Sequence, residues 1–239
     1  MATVAIGVKP MTLTLKAAQI EAGAISTRNS KMPGSSFAVS AKACNVGGKL
    51  VNVKGSTCSK CYAIKLQNMR PSVNIGWTNN LDRAVKLIDH NPEQWAQFMA
   101  FQINKAAQKT GENFHRWFDA GDLQSLAMLK AIVRVCELTP NVSHWLPTRE
   151  AKIVRAFATQ GALYPDNLVV RVSSVMIDDK PIAGYSHTST VHRKGGEASA
   201  SKGNAPASHV CPASQQGNAC GDCRACWRKD VASVSYPLH

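Results

Sequence analysis

The chain has 239 residues, 44% of them hydrophobic and 18% charged, and no stretch approaches the roughly 18 uninterrupted apolar residues of a membrane-spanning helix. Lys and Arg outnumber Asp and Glu 28 to 15, a formal net charge of +13, and this excess favours nucleic acid, nucleotides or other phosphate-bearing partners over a membrane. Met1 to Lys16 has Pro10 in its middle and neither a basic start nor a signal-type apolar run, so a cytoplasmic protein is expected.

In chain order, the first feature is Cys44 followed by Cys58-Ser-Lys-Cys61-Tyr62-Ala63, within a Gly-rich loop region. The eight cysteines of this chain fall mostly in short C-x-x-C steps, which in a reducing compartment point to metal rather than disulfides. Three thiolates on one cluster leave a position open to substrate or cofactor, by the logic of catalytic zinc sites. The alternative is that Cys44 is apolar filler and that Cys58 and Cys61 join the C-terminal cysteines in one site. Lys42, Lys49, Lys54, Lys60, Lys65 and Arg70 surround this loop, interleaved with Tyr62, and suit a phosphate backbone.

Helical spacing follows over Trp77–Ile88 and Pro92–Gln108, where Trp95, Phe98, Met99, Ile103 and Ala106 recur at three- and four-residue steps. Phe114–Phe118 reads as a strand, Leu126–Leu138 as a helix, Ser143–Leu146 as a strand and Glu150–Gln160 as a helix. Cys136, inside the second of these helices beside Val133 and Val135, reads as a core residue. Leu168–Val175, rich in β-branched residues after the turn Tyr164-Pro-Asp-Asn167, is a further strand.

The β-α-β-α-β order predicts an α/β fold with parallel crossovers, either a partial or complete (β/α) barrel or an open sheet. Chemistry in such folds gathers at the carboxyl ends of the strands. By that rule Asp119, Gly121, Asp122, Thr148, Arg149, Ser173 and Ser174 share one rim. Asp122 serves either a ligand or the cap of the next helix, and Thr148-Arg149 either grips a carboxylate or phosphate or starts a helix.

His187, His192 and His209 show no metal-binding spacing and read as surface residues. The small, polar stretch Gly195–Ser208 reads as a linker between a body, 1–194, with its first cysteine loop at 44–61, and a cysteine-rich tail, 195–239. Cys220-Gly-Asp-Cys223-Arg-Ala-Cys226 places three thiolates on one tight loop, with Cys211 as a fourth. The spacing suits a 4Fe-4S cluster, and a four-cysteine zinc site fits it as well. Neither a phosphate loop of the G-x-x-x-x-G-K-S/T type, nor a nucleophile elbow, nor H-E-x-x-H is present.

At Cys58–Ala63, Arg116-Trp-Phe-Asp-Ala-Gly-Asp-Leu123, Trp145-Leu-Pro-Thr-Arg149 and Cys220–Trp227 the chain resembles the bacteriophage gene-product-eighty-eight family, from about Ser30 to Trp227. That family is in turn similar to radical S-adenosylmethionine-like barrel proteins. The resemblance implies a partial α/β barrel in an infected host's cytoplasm, with one or two 4Fe-4S clusters on Cys44, Cys58 and Cys61 and on the tail cysteines. It further implies S-adenosylmethionine near Tyr62, Gly121, Thr148, Ser173 and Ser174, with Asp119, Asp122 and Arg149 as catalytic candidates. A nucleotide or nucleic-acid substrate and an external reductant complete that expectation. Thirteen residues separate Cys44 from Cys58, unlike the C-x-x-x-C-x-aromatic-C of the radical enzymes. Two other functions fit the residues: a non-catalytic nucleic-acid-binding protein with structural zinc or iron-sulfur, and an electron-transfer or cluster-carrier protein.

Overall fold

The computed structural model describes residues 13–193 and 208–238. The linker expected at 195–208 lies, but for Ser208, outside the described residues. Helix α1 (Leu15–Ala22), capped by the Thr14 hydroxyl, precedes the short strand β1 (Ser35–Phe37). The first cysteine loop carries α2 (Asn45–Leu50) and leads into α3 (Tyr62–Met69), α4 (Pro71–His90) and α5 (Pro92–Thr110). Pro71 and Pro92 open their helices, where a missing N–H costs nothing, so α4 begins well before the expected Trp77. Gly111, in the left-handed region at φ 73°, closes α5.

The remaining elements alternate: β2 (Phe114–Trp117), α6 (Leu126–Leu138), β3 (Ser143–Thr148), α7 (Ala151–Thr159), β4 (Leu168–Ile177), β5 (Thr188–His192), β6 (Ser208–Val210) and β7 (Ser233–Pro237). All strand pairs are parallel, in one seven-stranded sheet of order β1-β2-β3-β4-β5-β7-β6. The α/β expectation holds at this level, and the cysteine-rich stretch contributes β6 and β7 to the same sheet as the body. No helix among the described residues is long and apolar enough to cross a membrane.

Strand alternation divides the side chains between two faces. Phe37, Trp117 and Leu146 join Trp95, Met99, Leu129 and Ile132 in the main core against the helices. Phe37 packs edge-on against Trp95 and Trp117, with ring centroids 6.4 and 6.2 Å apart, the geometry aromatic quadrupoles favour. Trp145 faces the other way and packs with Cys226, Trp227 and Val234 of the tail. The tail therefore covers the face opposite the helices.

Two histidines lie in the main core with no exposure, their rings 5.5 Å apart. His115 Nδ1 bonds the Ser35 hydroxyl and His144 Nε2 the Thr139 hydroxyl, each at 2.8 Å. Burial holds the His144 imidazole down to about 3, and burial with the neighbouring His144 holds His115 well below its ordinary value. Both are neutral in the fold, whereas the unfolded chain protonates them as pH falls through about 6.5. Stability should thus be level above about pH 7 and decline below 6, by up to about 1.4 kcal/mol per pH unit for each histidine. Asp122, whose buried carboxyl is raised to about 6, acts in the opposite sense and offsets part of that loss. Urea unfolding at pH 7.5 and 5.0 should show the lower stability at 5.0, and replacing His144 by Asn should flatten the difference.

Candidate functional site

Because all strands run the same way, their carboxyl ends form one rim, and the first cysteine loop is stitched across it. Thr57 N–H donates to the Val175 carbonyl at 2.9 Å, and Ile177 N–H to the Gly55 carbonyl at 2.9 Å, which fastens the loop to the end of β4. This added pairing explains why β4 continues past Val175. Arg149 Nε donates to the Thr57 hydroxyl at 3.0 Å, and Glu150 Oε1 accepts from Val46 N–H at 2.9 Å, which fasten it to the end of β3.

Asp122 links the rim's own strand ends. Its carboxylate accepts from the Thr148 hydroxyl at 2.6 Å, from Arg149 N–H at 2.9 Å and from Leu123 N–H at 2.8 Å. Burial raises this carboxyl to about 6, and the three donors restrain the rise. Asp122 does not cap the following helix, since α6 starts at Leu126 and the Ser125 hydroxyl caps it. Nor does Thr148 cap α7. Its hydroxyl is held by Asp122 and accepts from Glu150 N–H.

The three thiols of the loop converge on this network. Cys44 is pushed up to about 12 by burial and by the nearby Asp122, Cys61 and Cys58, with Arg149 opposing. Burial also raises Cys58, again against Arg149. The short helix α2 folds the thirteen intervening residues back so that Cys44 and Cys58 meet beside Gly47. A Cβ there would stand 3.1 Å from Cys44 Cβ, 3.5 Å from Cys58 Sγ and 3.8 Å from Cys44 Sγ, so the glycine is packed directly against both cysteines. Cys44 thus lies beside Cys58 in the fold.

The other candidates occupy varied positions. Tyr62 reaches from α3 to donate its hydroxyl to the Asp119 carbonyl, and Asp119 Oδ2 accepts from the Ser36 hydroxyl at 2.9 Å. Asp119 Oδ1 is buried without a protein partner. Gly121, at φ +81°, is explained by packing, since a Cβ would stand 2.4 Å from Val39 Cγ2. Ser173 bonds Ser189 at 2.9 Å and Ser174 the Lys180 carbonyl at 2.6 Å, so both hydroxyls already have internal partners. Cys136 is fully buried in the core, as its helical setting suggests.

The tail cysteines form a second group on the opposite face of the sheet. Cys220 is raised by burial and by nearby Cys211 and Cys223; Cys226 is raised to about 12 by burial, with Cys211 and Cys220 adding to it. Cys223 Sγ lies 3.3 Å from His209 Nε2, and Cys226 Sγ 3.2 Å from the Tyr236 hydroxyl. The surface reading is corrected for two of the histidines: His192 is buried against the Ser235 hydroxyl, and His209 lies against Cys223, whereas His187 remains partly exposed. The place of His209 two residues before Cys211 was the available signal. Among the described residues, no group of three or more His, Cys, Asp or Glu side chains is placed to hold a metal ion.

Arg171 holds this second group, and nothing in the run LVVRVSSV singles it out. With no exposed surface and, among the described residues, no carboxylate partner, it donates from Nε to the Cys226 carbonyl at 3.0 Å. Its Nη2 donates to the Ala225 and Arg228 carbonyls, each at 2.9 Å. A planar fork can reach several carbonyls at once, which an ammonium cannot.

The site thus defines a parallel α/β protein carrying two separate groups of cysteines, one on the strand-end rim and one on the sheet face. The sequence matches the Gene product 88 family over residues 12–229, and the chain belongs to that family. Comparison with curated proteins and with solved structures returns no match for it.

Arg171→Ala should destabilise the fold by roughly 3 kcal/mol or more, since it leaves buried carbonyls without donors. Arg171→Lys should fall between the two. Urea unfolding reads the loss, and limited proteolysis should show cleavage in 208–238 ahead of the body.

Proposed function

We propose that this is an iron-sulfur enzyme of radical S-adenosylmethionine type, with a partial parallel barrel, acting on a nucleotide or nucleic acid. The placement of Cys44 and Cys58 side by side at the strand-end rim, with Cys61, Asp122 and Arg149 near enough to influence them, carries the reading. The fit rests on the donor set: three thiols suit an iron-sulfur cluster with one iron left open, and two of them lie side by side against Gly47. As they stand, these thiols do not form a group with metal-holding geometry among the described residues.

Cys44, Cys58 and Cys61 would hold such a cluster, which would supply one-electron reduction of a bound sulfonium cofactor. The chain's own residues orient and hold. The Arg149 guanidinium, fixed by Thr57, presents positive charge to a carboxylate or phosphate, and Asp122 keeps the Arg149 backbone in place. Lys42, Lys49, Lys54, Lys60, Lys65 and Arg70 are all exposed around the loop, and none of them has a carboxylate partner among the described residues. That face suits a phosphate-bearing substrate.

A second reading draws on His209, which gives the tail group a Cys/His donor set typical of structural zinc. On that reading the chain is a non-catalytic nucleic-acid-binding protein, and the basic face supplies affinity through counterion release.

The test is EPR of the anaerobically purified, dithionite-reduced protein with and without S-adenosylmethionine. The enzyme reading expects a reduced-cluster signal that the cofactor perturbs, and Cys58→Ser should remove that perturbed signal. Zinc without iron would sink the reading and leave the binding protein.

A further inference from the structure

At the opposite end of the sheet from the cysteine rim lies a cavity of about 710 Å³, within the range of small-molecule sites. Its walls are the segment that leads into β1, the end of α5 before β2, and the tail around Cys220. Four cations line it, Arg28, Lys31, Lys109 and Arg224, against one carboxylate, Glu112. Among the described residues none of the four makes a salt bridge. Unpaired like charges around one concavity repel one another, and an anion bound among them relieves that repulsion.

The walls are fixed in place. Gly34, at φ +70°, lies so close to β2 that a Cβ would stand 1.9 Å from the Phe114 carbonyl oxygen, so the β1 approach is pressed against its neighbour. Cys220 N–H donates to the Lys31 carbonyl at 2.7 Å, which joins the tail to the same segment. The Arg224 guanidinium lies 5.1 Å over the Phe114 ring and donates to the Cys223 carbonyl at 3.1 Å. Thr27, Asn29, Ser30 and Thr110 add hydroxyl and amide groups. Among the described residues none that lines the cavity is aromatic, so it offers charge and hydrogen bonds in place of a base-stacking platform.

We propose that this cavity binds a ligand carrying two or more phosphoryl groups, as a site separate from the cysteine rim and independent of any metal there. The phosphoryl groups belong either to a small polyphosphate or to a polynucleotide backbone, and the recognition chemistry is the same for both.

Isothermal titration of the full chain with sodium tripolyphosphate, and separately with a ten-nucleotide oligothymidylate, tests this. Saturable tripolyphosphate binding that weakens with added salt is expected, and Lys31→Glu with Lys109→Glu should reduce it by roughly tenfold or more. Both side chains are exposed, and neither makes a described side-chain hydrogen bond, so a circular-dichroism melt should match the native protein. Oligothymidylate bound as tightly, and lost in the same variant, would assign the phosphates to a polynucleotide; binding of tripolyphosphate alone would assign a small ligand. No saturable binding of either probe would overturn the proposal. So would binding unchanged in the double variant, or lost in Lys42→Glu with Lys65→Glu, which would place the anion at the rim.

Discussion

Seven strands running in one direction are the constraint on which everything else rests. Parallel neighbours cannot be joined by tight turns, so each crossover carries the chain back to the amino end, and every carboxyl end opens on the same rim. The first cysteine loop is fixed at that rim by hydrogen bonds to strand ends distant in sequence. Asp122 ties β2 to β3, Arg149 and Glu150 tie β3 to the loop, and the backbone at Gly55 and Thr57 ties the loop to β4. None of these contacts is strong alone, but together they hold three thiols beside a buried carboxyl and a guanidinium.

The opposite face of the sheet is organised by one buried charge. Arg171 would be costly in an apolar core, and it persists because the tail delivers carbonyls from Ala225, Cys226 and Arg228 to its fork. Trp227 adds to the same attachment by donating its indole N–H to the His115 carbonyl at 3.0 Å. The second cysteine group is therefore positioned by the sheet and does not hang from a flexible appendage.

The long amphipathic elements were legible in the sequence. The bounds of α6 are those its apolar spacing predicts, and α5 differs at its end by two residues, where Gly111 stops it. β1 was not legible, because Ser-Ser-Phe is three residues long, buried throughout and without alternation. The rim residues Asp119, Asp122, Thr148 and Arg149 followed from the strand-end rule, but their partners did not. Asp122 looks like a cap until Ser125 is seen to cap α6. Glu150 looks like the start of a helix, and it also holds the backbone beside Cys44. Arg171 and His209 were missed for a common reason: each acts through contacts with chain far away in sequence, which local pattern does not encode.

We propose that the two cysteine groups hold two separate metal centres. The most direct test is iron, zinc and sulfide content with Mössbauer spectra of iron-57-enriched protein, for the native chain, for Cys44→Ser with Cys61→Ser, and for Cys220→Ser with Cys223→Ser. The account predicts that each double variant loses one centre and keeps the spectrum of the other. Loss of all metal in both variants, with the fold intact by circular dichroism, would mean one shared centre and would contradict the account.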